Sequence, residues 1–145
     1  MKTYLIPTYR LQMVKDGNIE ANTIYSAKDI FKSMKTFVRS DREMFVGLYL
    51  NARNQVIAHH IVSVGTTNSS LVHPREVFKP AIIKNACSVI VAHNHPSGGF
   101  QPSEADILLT GRLKDAGSLL GIELLDHLIV IPNKKVYSCI KDRLL

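Results

Sequence analysis

The apolar positions of this chain change their period several times, and each change marks an element. Ile30, Phe31, Met34, Phe37 and Val38 recur at three- and four-residue spacing, the repeat of one helix face. Ser26, with Asp29 three positions on, is a capping pair that would open this helix. Met44–Leu50 and Val56–Val64 then read as strands, and the polar Asn51-Ala52-Arg53-Asn54 between them predicts a hairpin. A second helix starts at His73-Pro74, with proline at the tolerated first-turn position. Val77, Phe78, Ala81 and Ile82 form its apolar face. Pro80 falls inside that face and is expected to kink or restart the helix, because it lacks an N–H and crowds the preceding turn.

Ser88–Ala92 is continuously apolar, as a strand buried on both faces would be. A Gly- and Pro-rich loop, His93–Pro102, leads to a third helix that begins at Ser103. This helix carries Ile107, Leu108, Leu109 and Leu113 and ends near Gly117 or Gly121. Strands at Ile122–Ile131 and Val136–Ile140 close the chain around the turn Pro132-Asn133-Lys134-Lys135. Residues 1–22 offer a short strand near Tyr4–Ile6 and a polar turn at Asp16-Gly17-Asn18, and read as an extended arm or edge strand. The order is α-β-β-α-β-α-β-β. Helices between single strands favour crossovers and hairpins add antiparallel pairs, so one α/β domain with a mixed sheet is predicted over residues 23–145, behind an arm at 1–22.

Composition adds bounds. With 145 residues the chain can bury a core without disulfides or metals as staples. No apolar run approaches the roughly eighteen residues of a membrane helix, and the first residues lack the pattern of a signal peptide. Cys87 and Cys139 are isolated and read as reduced thiols, so a cytoplasmic location is expected. The formal net charge of +6 would attract nucleic acid or acidic proteins. The basic residues are scattered, however, with no run longer than Lys134-Lys135.

The chemistry concentrates in one segment, His93-Asn94-His95 through Ser103-Glu104-Ala105-Asp106. If the strand stays extended, period-two geometry aims His93 and His95 the same way. Asp106, in the first turn of the next helix, can fold back toward them. Two imidazoles and one carboxylate leave a fourth tetrahedral position open, the pattern of catalytic rather than structural zinc. Such a site needs a base, for which Glu43 is a candidate, and an oxyanion donor, for which Ser103 is one. Spacing alone does not bring Glu43 there, fifty positions from His93.

Each residue also has a plainer reading. Ser103 with Asp106 is a good capping box without any metal. Asp126-His127 fits either a pair orienting a ligand or a structural histidine, and His73 fits a helix start. His59 and His60 are adjacent on a strand and face opposite sides, which argues against a shared metal. HExxH is absent, the Pro-Cys-x-x-Cys of zinc deaminases is absent, and His-Asn-His does not make an HNH nuclease.

His93-x-His95, seven residues, then Ser103-x-x-Asp106 resembles the JAMM signature in residue type and spacing. Val72-His73-Pro74-Arg75-Glu76-Val77-Phe78, His93-Asn94-His95-Pro96-Ser97-Gly98 and Leu124-Leu125-Asp126-His127-Leu128-Ile129 resemble the bacterial RadC proteins, historically called DNA repair proteins. The resemblance, over roughly residues 25 to 140, implies the JAB/MPN fold, a deaminase-like three-layer α/β/α arrangement. It implies His93, His95 and Asp106 as zinc ligands, Glu43 as the catalytic glutamate and Ser103 as the motif serine. The expected function is zinc-dependent hydrolysis of peptide or isopeptide amides in an unidentified peptide or protein. The alternative is a DNA-associated accessory module in which the metal is structural. Familiar RadC proteins carry an N-terminal helix-hairpin-helix region where this sequence shows a short arm, which weakens the DNA role. Gly99-Phe100-Gln101 also departs from their usual loop.

Overall fold

The computed structural model describes residues 1, 3, 5–17, 29–30, 41–65, 72–96, 99–131, 135–141 and 143–144. Among these, β1 (Met44–Leu50), β2 (Val56–Val64), α1 (Pro74–Ile83), β3 (Ser88–Asn94), α2 (Glu104–Leu120), β4 (Glu123–Ile131), β5 (Lys135–Ser138) and β6 (Arg143–Leu144) follow in that order. The strands form one mixed sheet, β2-β1-β3-β4-β5-β6. Only β3 and β4 run parallel, joined by the α2 crossover, while every other pair is antiparallel. The α/β class and the mixed sheet are therefore as expected.

The central strands explain their own composition. β1 and β3 each lie between two neighbours, and nearly every residue on them is buried, which is why MFVGLYL and SVIVAHN show so little alternation. β2 is an edge strand and its residues are half-buried or exposed. The hairpin turn is held by Asn51, whose Oδ1 accepts the N–H groups of Arg53 (2.9 Å) and Gln55 (3.0 Å). Asn54 takes the positive φ of 57° that closes it, a conformation Asn tolerates.

Alternation assigns the two faces. Phe45, Tyr49, Val89, Val91 and Leu124 pack on one face with Val77, Phe78, Leu109 and Leu113 of the two helices. Val46, Leu48, Leu50, Ile90, Ala92, Leu128 and Val130 pack on the other with Ile30. The Tyr49 hydroxyl donates to the Val77 carbonyl at 2.8 Å, tying β1 to α1. Burial pushes its ionisation well above the ordinary tyrosine range. At Gly117, an added Cβ would fall on the Ile122 carbonyl oxygen and lie 3.1 Å from Phe78, so α2 approaches β4 as closely as backbone allows.

Several boundaries differ from expectation. Pro80 does not interrupt α1, which runs unbroken from Pro74 to Ile83 with Pro80 buried. Proline's lost N–H bond is a local defect that packing of a ten-residue helix can absorb. Leu5 and Ile6 lie in no strand and are exposed, because nothing in the described structure pairs with them. β5 stops at Ser138: the Cys139 N–H still bonds the His127 carbonyl in the β4–β5 register, but Cys139 and Ile140 enter a turn in which the Lys141 N–H bonds Ser138 Oγ. The short β6 was not expected. The predicted first helix lies outside the described residues except for Asp29 and Ile30, which are helical. Ser26, Phe31, Met34, Phe37 and Val38 are likewise outside them, and with them the full three-layer order. No helix among the described residues is long and apolar enough to cross a membrane.

Candidate metal centre

The site forms where β3 ends beneath the start of α2. The His95 N–H bonds the Val130 carbonyl at 3.2 Å, so extended backbone continues one residue past β3. His93 and His95 therefore project to the same side, with ring centroids 4.8 Å apart and Nε2 atoms 2.9 Å apart. His93 is fully buried and His95 partly so.

Asp106 is delivered by a helix cap. Ser103 Oγ accepts the Asp106 N–H at 3.1 Å, while Asp106 Oδ2 accepts the Ser103 N–H at 2.8 Å. This reciprocal box satisfies two N–H groups of the first turn and fixes the carboxylate. Its Oδ1 then lies 3.4 Å from His93 Nε2, and its Oδ2 3.8 Å from His95 Nε2. Donors about 2.0–2.1 Å from a tetrahedral centre stand about 3.3 Å apart, so these separations suit a small cation. Burial would raise the Asp106 carboxyl, but hydrogen bonding and charge from His93, and the bonds to Ser103, hold it far below the ordinary carboxylate range.

Glu43 reaches the same place through strand pairing. β1 and β3 are antiparallel with Phe45 opposite His93, which sets the residue before β1 beside the end of β3. Donor atoms of Glu43, His93 and His95 all lie within 4.8 Å of one another. Asn94 fixes the segment: its Oδ1 accepts the Met44 N–H at 2.6 Å and its Nδ2 donates to the Arg42 carbonyl at 2.9 Å. The side chain between the two histidines thus grips the backbone on both sides of Glu43. Burial raises the Glu43 carboxyl above its usual value; the nearby His93 lowers it and Asp106 raises it further.

A third histidine belongs to the cluster. His127, on β4, is fully buried, with its Nε2 2.9 Å from His93 Nδ1. The Phe45 ring stacks against His93 and meets His127 edge-on, at centroid distances of 5.8 and 5.5 Å. Burial, then the neighbouring His93, depresses the His127 imidazole well below its ordinary value. His95 is lowered by burial and by His93, partly offset by its Nδ1 contact of 2.7 Å with the Gly99 carbonyl and by Asp106.

All five residues singled out from the sequence thus fall in one region, with His93, His95 and Asp106 in mutual contact, Glu43 adjacent, and Ser103 holding Asp106. His59 and His60 lie away on the edge strand, and His73 precedes α1 with no side-chain cap. His127 and Asn94 were the residues not assigned to the site. The signal for His127 was a polar pair inside the apolar run of β4, which in a buried strand demands partners.

An α/β sheet whose buried strand end gathers imidazoles and carboxylates under a helix start defines a domain with a candidate metal centre. The sequence profile of the RadC-like JAB domain matches residues 24–144, and the chain belongs to that family. UPF0758 proteins of Methanosarcina acetivorans and Chlorobaculum tepidum are each 45% identical to it, over 120 and 122 residues. The matches take in 82% and 83% of this chain and 52% and 54% of those proteins. A UPF0758 protein of Rubrobacter xylanophilus is 60% identical over 90 residues, 62% of this chain and 40% of that protein. The chain spans about half the length of the curated relatives it matches.

Proposed function

We propose that this chain is a zinc-dependent hydrolase of JAMM type that cleaves peptide or isopeptide amides. The observation that carries the reading is the meeting of two imidazole Nε2 atoms, 2.9 Å apart, with a buried carboxylate fixed by its own helix cap. Such a group is unfavourable without a cation, and its donor set suits zinc with a position left open. His93, His95 and Asp106 would hold the ion. Zinc, when bound, supplies a Lewis acid that brings the pKa of a water to about 7.

The chain's own residues account for the rest. Glu43 is half-buried and inclined to hold a proton, which suits a shuttle better than a ligand. It takes the proton released by the attacking water and passes it to the departing amide nitrogen. Ser103 Oγ accepts the Asp106 N–H and keeps its own proton to donate to the oxygen of a tetrahedral intermediate. Phe45 walls the inner side and excludes water from His93.

Metal analysis together with a peptide-library cleavage assay on wild type and Glu43→Gln tests the reading. Near-stoichiometric zinc is expected in both proteins, with cleavage reduced about 10²–10⁴-fold in the variant. Equal rates would remove Glu43 from the mechanism, and zinc-free wild-type protein would sink the metal assignment. Bound zinc with no cleavage, and salt-dependent binding to DNA, would favour the accessory module consistent with the charge of +6.

A further inference from the structure

We propose that His127 and Thr110 act as positioning residues that fix which ring nitrogen of His93 carries a proton, leaving Nε2 as the atom presented to the metal. The inference rests on the proposed metal site and extends it to residues outside the ligand set.

The direction of each hydrogen bond follows from the one before. The Thr110 hydroxyl donates to the Asp106 carbonyl at 2.7 Å, and a carbonyl can only accept. A hydroxyl has a single proton, so at its 2.7 Å contact with His127 Nδ1 the threonine oxygen must accept. His127 therefore carries a proton on Nδ1. A cationic His127 would be buried with both ring nitrogens committed to Thr110 and His93 and no carboxylate bonded to its ring. In the neutral ring Nε2 is bare, and it faces His93 Nδ1 at 2.9 Å. His93 must donate there, so its Nε2 is the nitrogen left to face His95 and Asp106.

The relay closes on itself. It starts at the backbone carbonyl of Asp106 and ends at the imidazole that lies 3.4 Å from the Asp106 carboxylate. Two candidate ligands on different elements, β3 and α2, are thereby oriented by one chain of side chains from α2 and β4. His95 reaches the same tautomer independently, because its Nδ1 must donate to the Gly99 carbonyl. Both rings then turn Nε2 toward the same point. A histidine whose other nitrogen donates to a fixed acceptor is a better-oriented and more basic ligand.

Long-range ¹H–¹⁵N spectra of the histidine rings in the metal-free protein, joined to zinc-affinity measurements by chelator competition, test this. The expected spectra show protonated Nδ1 on both His93 and His127, with His127 Nε2 bare. A bare Nδ1 on either ring would overturn the proposal. Thr110→Val removes the hydroxyl and keeps the shape; it should release the His127 tautomer and weaken zinc binding about 10–100-fold. Thr110→Ser should restore both. Unchanged spectra and affinity in a folded Thr110→Val protein would refute the relay. The spectra are read without metal and the affinity without turnover, so absence of hydrolysis would not be mistaken for failure here.

Discussion

α1 and α2 begin in opposite ways although they cover the same face of the sheet. α1 starts at Pro74 after an exposed His73 whose side chain caps nothing, so its place is set by Val77, Phe78 and Ala81 packing inward. α2 starts with a complete capping box in which the capping carboxylate, Asp106, is also the one turned toward His93 and His95. One start is held by packing behind it. In the other, the hydrogen bonds that begin the helix also aim a functional group. Helix nucleation and site geometry are therefore separable at α1 and joined at α2.

The sharpest way to break that contrast is Asp106→Asn. The amide oxygen can still accept the Ser103 N–H, so the helix start should survive with a loss of about 1 kcal/mol or less. The negative charge facing the histidines is gone. Zinc affinity should fall more than about 100-fold, beyond what is typical for groups that only support a ligand. Chelator competition reads the affinity and urea unfolding reads the stability. If both fell in proportion, the carboxylate would be only a cap.

Ser103→Ala, smaller in effect on binding, separates the jobs in the other direction. It removes the Oγ that accepts the Asp106 N–H but leaves the Ser103 N–H that holds the carboxylate. Stability should drop by about 1 kcal/mol while zinc affinity stays near wild type. Should the serine also serve as oxyanion donor, turnover falls about 10²–10³-fold. A lost zinc affinity in this variant would show that the hydroxyl, not the backbone, positions Asp106.

How far the sequence disclosed this arrangement follows from the range of the interactions. His93, His95, Ser103 and Asp106 sit within fourteen positions, and strand and helix periods relate them directly. Glu43 depends on the pairing of β1 with β3 across fifty positions, which no local pattern encodes, so it was a candidate by residue type whose place rested mainly on resemblance to a family. Asn94 was hidden by its neighbours: it alternates to the opposite side of the strand from the two histidines and works on the backbone around Glu43. Thr110 looked like any helix residue, and its role needs both the i−4 bond to Asp106 and a histidine from β4. The hairpin was legible because its turn residues are local. Pro80 was misjudged because a proline's effect depends on burial that a helix wheel does not contain.

His73→Ala is the control that gives the comparison its meaning, and the smallest expected effect. His73 occupies the position before α1 that Ser103 occupies before α2, with similar extended backbone: φ −94° and ψ 135° against φ −73° and ψ 164°. Its carbonyl accepts the N–H groups of Glu76 and Val77 at 3.0 and 3.3 Å, and alanine retains that carbonyl. Its exposed side chain makes no capping bond, so removing it should change stability by no more than about 0.5 kcal/mol and leave zinc affinity untouched. Set beside Ser103→Ala in the same urea titration, the pair measures the cap alone, because the backbone geometry is matched and only the hydrogen bond differs. A loss of about 1 kcal/mol at His73 would mean that α1 depends on its first residue as α2 does. The joining of helix start to site geometry would then no longer distinguish α2.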